Sequence, residues 1–351
     1  MSRHRRPVRI ALAVTAAVLV GSLAGVALAA GRSAARRSGG ALRGAGSTFV
    51  APLVDAWVKP VGSALGIALS YSPVGSGGGV AAISNREVDF GASDAPLSQF
   101  SPTCTTCVQI PWALSGTAVL YNLPGAPNLL KLSGPVLAGI YLGRITRWND
   151  PAIRRLNRGV KLPAMRITVV HRSDSSGTSF NFTDYLSRVS RVWKAKIGRG
   201  TSVAWPAGIG GKGSSGVSGL VHETPGAIGY ADVAYATRAH LAVARIENRA
   251  GRFVIPRLQN IKAASVLDTH PARDGSLSIV DPPKSAKYAN AYPISTYTYV
   301  DVQQRSANAA ALRRLLTWAV TKGQRYGPPL VFVPLPAAVV AFDRRQIARI
   351  R

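Results

Sequence analysis

Short runs of β-branched and apolar residues alternate along this chain with segments whose apolar positions recur at helical spacing, and the junctions between them are rich in glycine and hydroxyl residues. The clearest case is Val169 to Phe180. Val169-Val170 end a strand, a polar turn runs from His171 to Ser175, and Phe180, Phe182, Tyr185 and Leu186 predict an amphipathic helix starting near Ser176. Gly44 to Pro52 likewise precedes a helical pattern at Leu53, Ala56, Trp57 and Val61. Ile67 to Tyr71 reads as a strand, followed by a glycine turn at Val74 to Gly79 that opens another helix. Val88 to Leu97 holds a short strand ending in Ser93-Asp94, and Leu312, Leu315, Leu316, Ala319 and Val320 mark a helix stopped by Gly323. The alternation predicts an α/β protein.

The first residues break this rhythm. Arg3, Arg5, Arg6 and Arg9 precede an uncharged run from Ile10 that ends in Ala27-Leu28-Ala29. This reads as a secretory signal peptide over 1–29, or, because the run approaches the length of a membrane span, as an uncleaved anchor. No cysteine near Ala29 offers a lipid attachment point. A disordered linker, rich in Arg, Ser and Gly, is expected over 30–41. About 310 residues remain, enough for two α/β lobes with separate cores.

The formal net charge of +28 raises nucleic-acid binding as a question, but the basic residues are scattered, aromatic residues do not interleave with them, and export argues against it. A basic surface can instead concentrate a small anion. In an oxidising compartment Cys104 and Cys107 are expected to form a local disulfide that pins a loop. Metal binding is not expected, since the two cysteines lack partner ligands and the five histidines form no ligand cluster.

The helix start at Ser176 carries candidate chemistry. A helix N-terminus presents unpaired N–H groups and a positive dipole end, to which Ser176 and Thr178 add hydroxyl donors and Arg172 a full charge. Such a turn suits an oxyanion, and the glycine-hydroxyl turns at 44–52 and 74–83 repeat the arrangement. With only 15 acidic residues in the chain, Asp94 beside these turns is informative: a carboxylate accepts hydrogen bonds only, so it favours an anion that still carries a proton.

Rival readings fit less well. Gly208 to Gly213 satisfies G-x-G-x-x-G with Asp232 about 20 residues beyond, but Pro206 interrupts the preceding strand and only a short helix fits afterwards. A serine hydrolase using Ser176 and His171 lacks a third member. The six tryptophans, Trp57, Trp112, Trp148, Trp193, Trp205 and Trp318, are expected to anchor cores, because an inorganic anion offers nothing to stack on.

Gly44 to Phe49, Gly75 to Gly78, Val88 to Ser98, Ile140 to Gly143, Lys161 to Pro163, Arg172 to Phe180, Gly210 to Gly213 and Pro225 to Tyr230 closely resemble the phosphate-binding protein of the bacterial phosphate ABC transporter. The resemblance runs from about Leu42 to Tyr235 and returns weakly at Tyr292 to Ser295 and Leu312 to Gly323; 241–287 show little. It implies a two-lobed periplasmic-binding-protein fold (type II) with a two-segment hinge near Leu120 to Asn122 and Tyr292 to Thr298. Lobe 1 would comprise 42–120 and 296–351, and lobe 2 would comprise 121–295. The implied phosphate ligands are Thr48, Phe49 through its backbone N–H, Ser76, Asp94, Arg172, Ser176, Gly177 and Thr178, with Asp174 orienting Arg172. His171 and Ser175 depart from the familiar form of the motif at positions that are not ligands. The implied protein is no enzyme and needs no cofactor. It would be an exported monomer in the periplasm or on the outer face of the cytoplasmic membrane, delivering inorganic phosphate to a membrane permease. The alternatives are an exported phosphatase or related phosphate-handling enzyme, and a binder of another tetrahedral oxyanion.

Overall fold

The structure, a computed structural model, describes residues 40–351. The signal or anchor segment at 1–29 and the linker through residue 39 lie outside the described residues. Ala41, placed last in that linker, already belongs to the first strand. Among the described residues no helix is long and apolar enough to cross a membrane.

The chain begins with β1 (Ala41–Gly46), α1 (Ala51–Leu65), β2 (Ala68–Ser72), α2 (Ser76–Ser84), β3 (Phe90–Ser93) and β4 (Cys107–Tyr121). It continues through β5 (Lys131–Leu132), α3 (Gly134–Tyr141), α4 (Pro151–Leu156), β6 (Thr168–Arg172), α5 (Gly177–Val189) and α6 (Arg191–Lys196). Next come β7 (Ile209–Gly211), α7 (Gly213–Glu223), β8 (Ala227–Asp232), α8 (Val233–Arg238), β9 (Ala242–Val243), β10 (Arg245–Glu247) and β11 (Phe253–Val254). The last elements are α9 (Leu258–Ser265), β12 (Ser295–Gln303), α10 (Ala309–Ala319) and α11 (Ala337–Ala348).

The principal sheet has nine strands in the order β2-β1-β3-β12-β4-β8-β6-β7, with β9 beside β4. β1 runs parallel to β2 and β3, and β6 runs parallel to β7 and β8, so each end of the sheet is a βα-type half. β4 joins the halves. It pairs antiparallel with β12 over 107–116 and with β8 over 117–121, so the change of partner falls between Gly116 and Thr117. The strand is buried along almost its whole length, which explains its near-continuous apolar sequence. A separate small sheet, β11-β10-β5, comes from sequence segments of the second half.

Aromatic side chains pack closely in both halves, within one continuous buried cluster and not in the two separate cores expected from the sequence. In the first, Trp57 packs edge-on against Trp112 (5.3 Å between centroids) and Trp318 (6.1 Å), and its indole N–H donates to the Gly323 carbonyl. In the second, Phe182 stacks on Tyr230 at 4.3 Å and Tyr141 meets Phe182 edge-on. Trp205 is only partly buried and stacks on His171 at 4.9 Å, so it anchors the β6 turn as well as the core. Cys104 and Cys107 are joined by a disulfide in the turn that leads into β4.

α11 carries a buried carboxyl group. Asp343, like Asp301 of β12, is buried with no hydrogen-bond partner for either carboxylate oxygen. Burial pushes Asp343 up to about 9 from 3.8 and raises Asp301 well above the ordinary carboxylate range. Between the unfolded and folded values the native state holds a proton that the unfolded chain has released, so stability falls as pH rises through that window. Each such group contributes a slope of about 1.4 kcal/mol per pH unit. Asp343→Asn is expected to flatten the decline in stability between about pH 5 and pH 9. Urea unfolding at stepped pH checks this, and an unchanged slope would show that Asp343 is ionised in the native protein.

Candidate functional site

The site forms where the parallel strands of both halves end. Chain reversal after a parallel strand points the following turn and helix N-terminus toward the crevice between half-sheets, so the turns after β1, β2, β3, β6 and β7 converge. Thr48 follows β1, Ser76 is the first residue of α2, Asp94 follows β3, Arg172 ends β6, and Gly177 and Thr178 open α5. Thr48, Ser76, Asp94, Arg172, Ser176 and Thr178 are all buried.

Hydrogen bonds cross between the halves at this point. The Gly177 N–H donates to Ser76 Oγ at 3.0 Å, and the Thr178 hydroxyl donates to Asp94 Oδ2 at 3.1 Å. Asn181 donates its amide to the Asp94 carbonyl at 2.6 Å, and the Ser214 N–H donates to Thr48 Oγ1 at 3.0 Å. Tyr235 adds a hydroxyl bond to the Thr48 carbonyl at 2.7 Å. Asp94 also accepts from Ser47 Oγ through Oδ1.

Arg172 stands beside this cluster with its fork fixed. Its Nε donates to Asp174 Oδ1 at 2.7 Å and its Nη2 to Asp174 Oδ2, leaving Nη1 directed at Thr178 Oγ1, 3.4 Å away. The Arg172 N–H is itself tied to the Tyr230 hydroxyl at 3.1 Å. Burial pushes Asp174 up, but the bonds and charge of Arg172, together with the Gly213 N–H, outweigh burial and hold this carboxyl below its ordinary value. Asp94 goes the other way. Desolvation pushes it up to about 6, against the lowering pull of Ser47, Arg172, Thr178 and Ser76. One carboxylate is therefore a fixed counter-charge and the other a buried group that titrates near neutrality.

Two glycines allow the halves to approach this closely. A Cβ on Gly177 would lie 2.6 Å from the backbone nitrogens of Asp94 and Ala95. At Gly75, with φ +91°, a Cβ would lie 2.2 Å from Asp174 Oδ2. Because the Gly177 obstruction is backbone of the opposite half, Gly177→Ala is expected to leave each half folded and hold them apart. The expected result is at least about a tenfold loss of anion affinity at nearly unchanged thermal stability. Titration calorimetry beside a melting curve reads both, and full affinity in the variant would mean that the contact is not needed.

Phe49 and Ser176 sit differently from the others. The Phe49 N–H donates to Ser47 Oγ at 3.0 Å and its ring lies in the core against Phe332. Ser176 caps α5, its hydroxyl accepting from the Ser179 N–H, while its own N–H donates to the Thr201 carbonyl. Ser47, Ser214, Tyr235 and Asn181 join the site beyond the residues expected from the sequence. Ser47 and Ser214 follow the same glycine-hydroxyl signal as the turns at 44–52 and 74–83. Tyr235 and Asn181 gave no signal, since their roles depend on helix orientation.

Asp232 caps α8 through the Ala234 N–H and accepts from Ser115 Oγ, so it serves a helix start and not a ribose. Among the described residues no group of three or more His, Cys, Asp or Glu could hold a metal ion.

A family model described as a PBP superfamily domain matches residues 31–322. The phosphate-binding protein PstS of Xylella fastidiosa (strain 9a5c) is 40% identical over 304 residues, covering 85% of this chain and 82% of that protein. The chain belongs to the PstS phosphate-binding protein family. PstS of Haemophilus influenzae is 38% identical over 309 residues, 87% of this chain and 92% of that protein. Among solved structures, a high affinity periplasmic phosphate-binding protein bound with phosphate superposes with a TM-score of 0.68 at 24% identity, covering 87% of this chain and 93% of that one. The phosphate-binding protein from Stenotrophomonas maltophilia gives 0.66 at 20% identity, with the same coverage. These neighbours agree with the two halves of the PstS-family chain in a two-lobed periplasmic-binding-protein fold.

Proposed function

We propose that this protein binds one inorganic phosphate in the crevice between its lobes and delivers it, without chemistry, to the permease of a phosphate ABC transporter. The observation that carries this reading is the cluster in which Asp94 and Ser76 of one half meet Gly177, Thr178 and the Asp174-oriented Arg172 of the other. Phosphate takes these groups over: Arg172 and the helix-start N–H donate to its oxygens, the hydroxyls of Thr48, Ser76 and Thr178 follow, and a phosphate proton donates to Asp94. The backbone N–H of Phe49 and the Ser176 cap complete the proposed set. An open form meets the anion on the first lobe and closure adds the second, replacing water by preorganised donors.

The lobes are taken as 42–120 with 296–351, and 121–295, and the crossings near Leu120 to Asn122 and Tyr292 to Thr298 act as the hinge. The protein acts outside the cytoplasm, in the periplasm or on the outer face of the cytoplasmic membrane, as a monomer that presents its closed form to the permease.

Titration calorimetry with phosphate, sulfate and a phosphate monoester, with released phosphate assayed in the last case, tests the reading. The expected outcome is tight one-to-one binding of phosphate alone and no turnover. Hydrolysis of the monoester would identify an enzyme, and equal binding of sulfate a general oxyanion carrier.

A further inference from the structure

At the end of α5 remote from the phosphate crevice, roughly 18 Å along the helix at 1.5 Å per residue, lies a cavity of about 860 Å³. Five exposed cations line it: Arg188, Arg191, Lys194, Arg199 and Arg249. The carboxylate in its wall, Asp184, is largely buried and already divided between Arg188 at 3.0 Å and Arg199 at 3.4 Å. Asp281 engages Arg249 at 2.6 Å. Arg191 and Lys194 have no ion-pair partner among the described residues. The Ser187 hydroxyl, in the same wall, is buried and has no hydrogen-bond partner.

The arrangement has the features of an anion site. Asp184 and Asp281 fix three guanidinium groups while each keeps N–H donors free, which lowers the entropy lost when an anion is gripped. The volume lies in the range of sites for multi-atom ligands and exceeds what one orthophosphate fills. A concave wall with cations on several sides suits a compact chain of charges better than a flat lipid surface.

We infer that this cavity is a second anion site, separate from the crevice, that takes a linear phosphoryl oligoanion such as a condensed phosphate. The oligoanion lies along the cavity with successive phosphoryl groups on Arg191 and Lys194, on the Asp184-held pair, and on Arg249. The site is independent of the phosphate reading above, because none of its residues belongs to the crevice.

The test is calorimetric titration of inorganic tripolyphosphate into the full protein already saturated with orthophosphate. Saturable binding that weakens as salt is raised is expected. Arg191→Glu with Lys194→Glu should weaken it about tenfold or more, while Arg155→Glu with Arg158→Glu, the same charge change on exposed residues of the α4 region, should alter it less than about twofold. Orthophosphate titration of each variant checks folding, and the neutral pair Arg191→Gln with Lys194→Gln replaces the reversal if that fails to fold. Equal weakening in both double variants would reduce the effect to net charge and overturn the site. So would absence of binding beyond the crevice, or a preference for poly-glutamate or for anionic phospholipid vesicles over tripolyphosphate.

Discussion

Arg172→Ala is expected to weaken phosphate binding by about 30-fold to several thousand-fold, the range for truncating one partner of a buried, hydrogen-bonded charge pair. Two effects add. The anion loses a charged donor at a site screened from water, and Asp174 is left with its negative charge unpaired at the crevice edge, where it repels phosphate. Asp174→Asn removes only the clamp. Arg172 keeps its charge but not its fixed orientation, and the Gly213 N–H loses a charged acceptor, so the loss should be smaller. Calorimetric titration of both variants decides the order, and a larger effect from Asp174→Asn would mean that Asp174 acts by more than orienting its neighbour.

Asp94→Asn is expected to change selectivity more than affinity. Phosphate near neutral pH keeps at least one proton that it can donate to an ionised carboxylate, whereas sulfate has none and brings lone pairs against a buried negative charge. Repulsion of this kind is worth roughly 1–3 kcal/mol or more, or about 5- to 160-fold or more in affinity. Asparagine supplies a donor and removes the charge, so sulfate should gain on phosphate in the variant. The wild type offers a second reading of the same effect. Burial sets Asp94 at about 6, so it is ionised above that value and protonated below it. Sulfate affinity of the wild type should therefore rise as pH falls through about 6, and the rise should vanish in Asp94→Asn. A phosphate-to-sulfate ratio identical in wild type and variant would make Asp94 a structural turn residue.

Much of this site is readable in the sequence because the chemistry of an anion site is local. A helix start exposes its own N–H groups, so the strand-turn-helix pattern from Val169 to Phe180 already carries Arg172, Gly177 and Thr178 to one place. What the pattern omits is relation between distant segments. Nothing in the sequence near Ser214 says that its backbone donates to Thr48, 166 positions away, because that contact exists only after β7 and β1 are set in one sheet. Ser176 is expected to offer its hydroxyl to the ligand, and the structure adds a second role that its residue type also favours: the same oxygen accepts from the Ser179 N–H as the helix cap, which leaves its O–H free to donate. The β4 change of partner at Gly116 was invisible for a related reason: a strand buried on both faces has no alternation to mark where one neighbour gives way to the next. α11 is hard to read in the sequence because its buried face includes Asp343 beside Val339, Phe342 and Ile347, which breaks the apolar stripe.

The most direct test of the central claim is a crystal structure of the protein grown with phosphate. The account predicts one phosphate between the two halves, with Arg172 and the Gly177 N–H donating to its oxygens, the hydroxyls of Thr48, Ser76 and Thr178 within hydrogen-bond distance, and one oxygen facing Asp94. A phosphate found only outside this crevice, with Thr178 still bonded to Asp94 and Gly177 to Ser76, would contradict it.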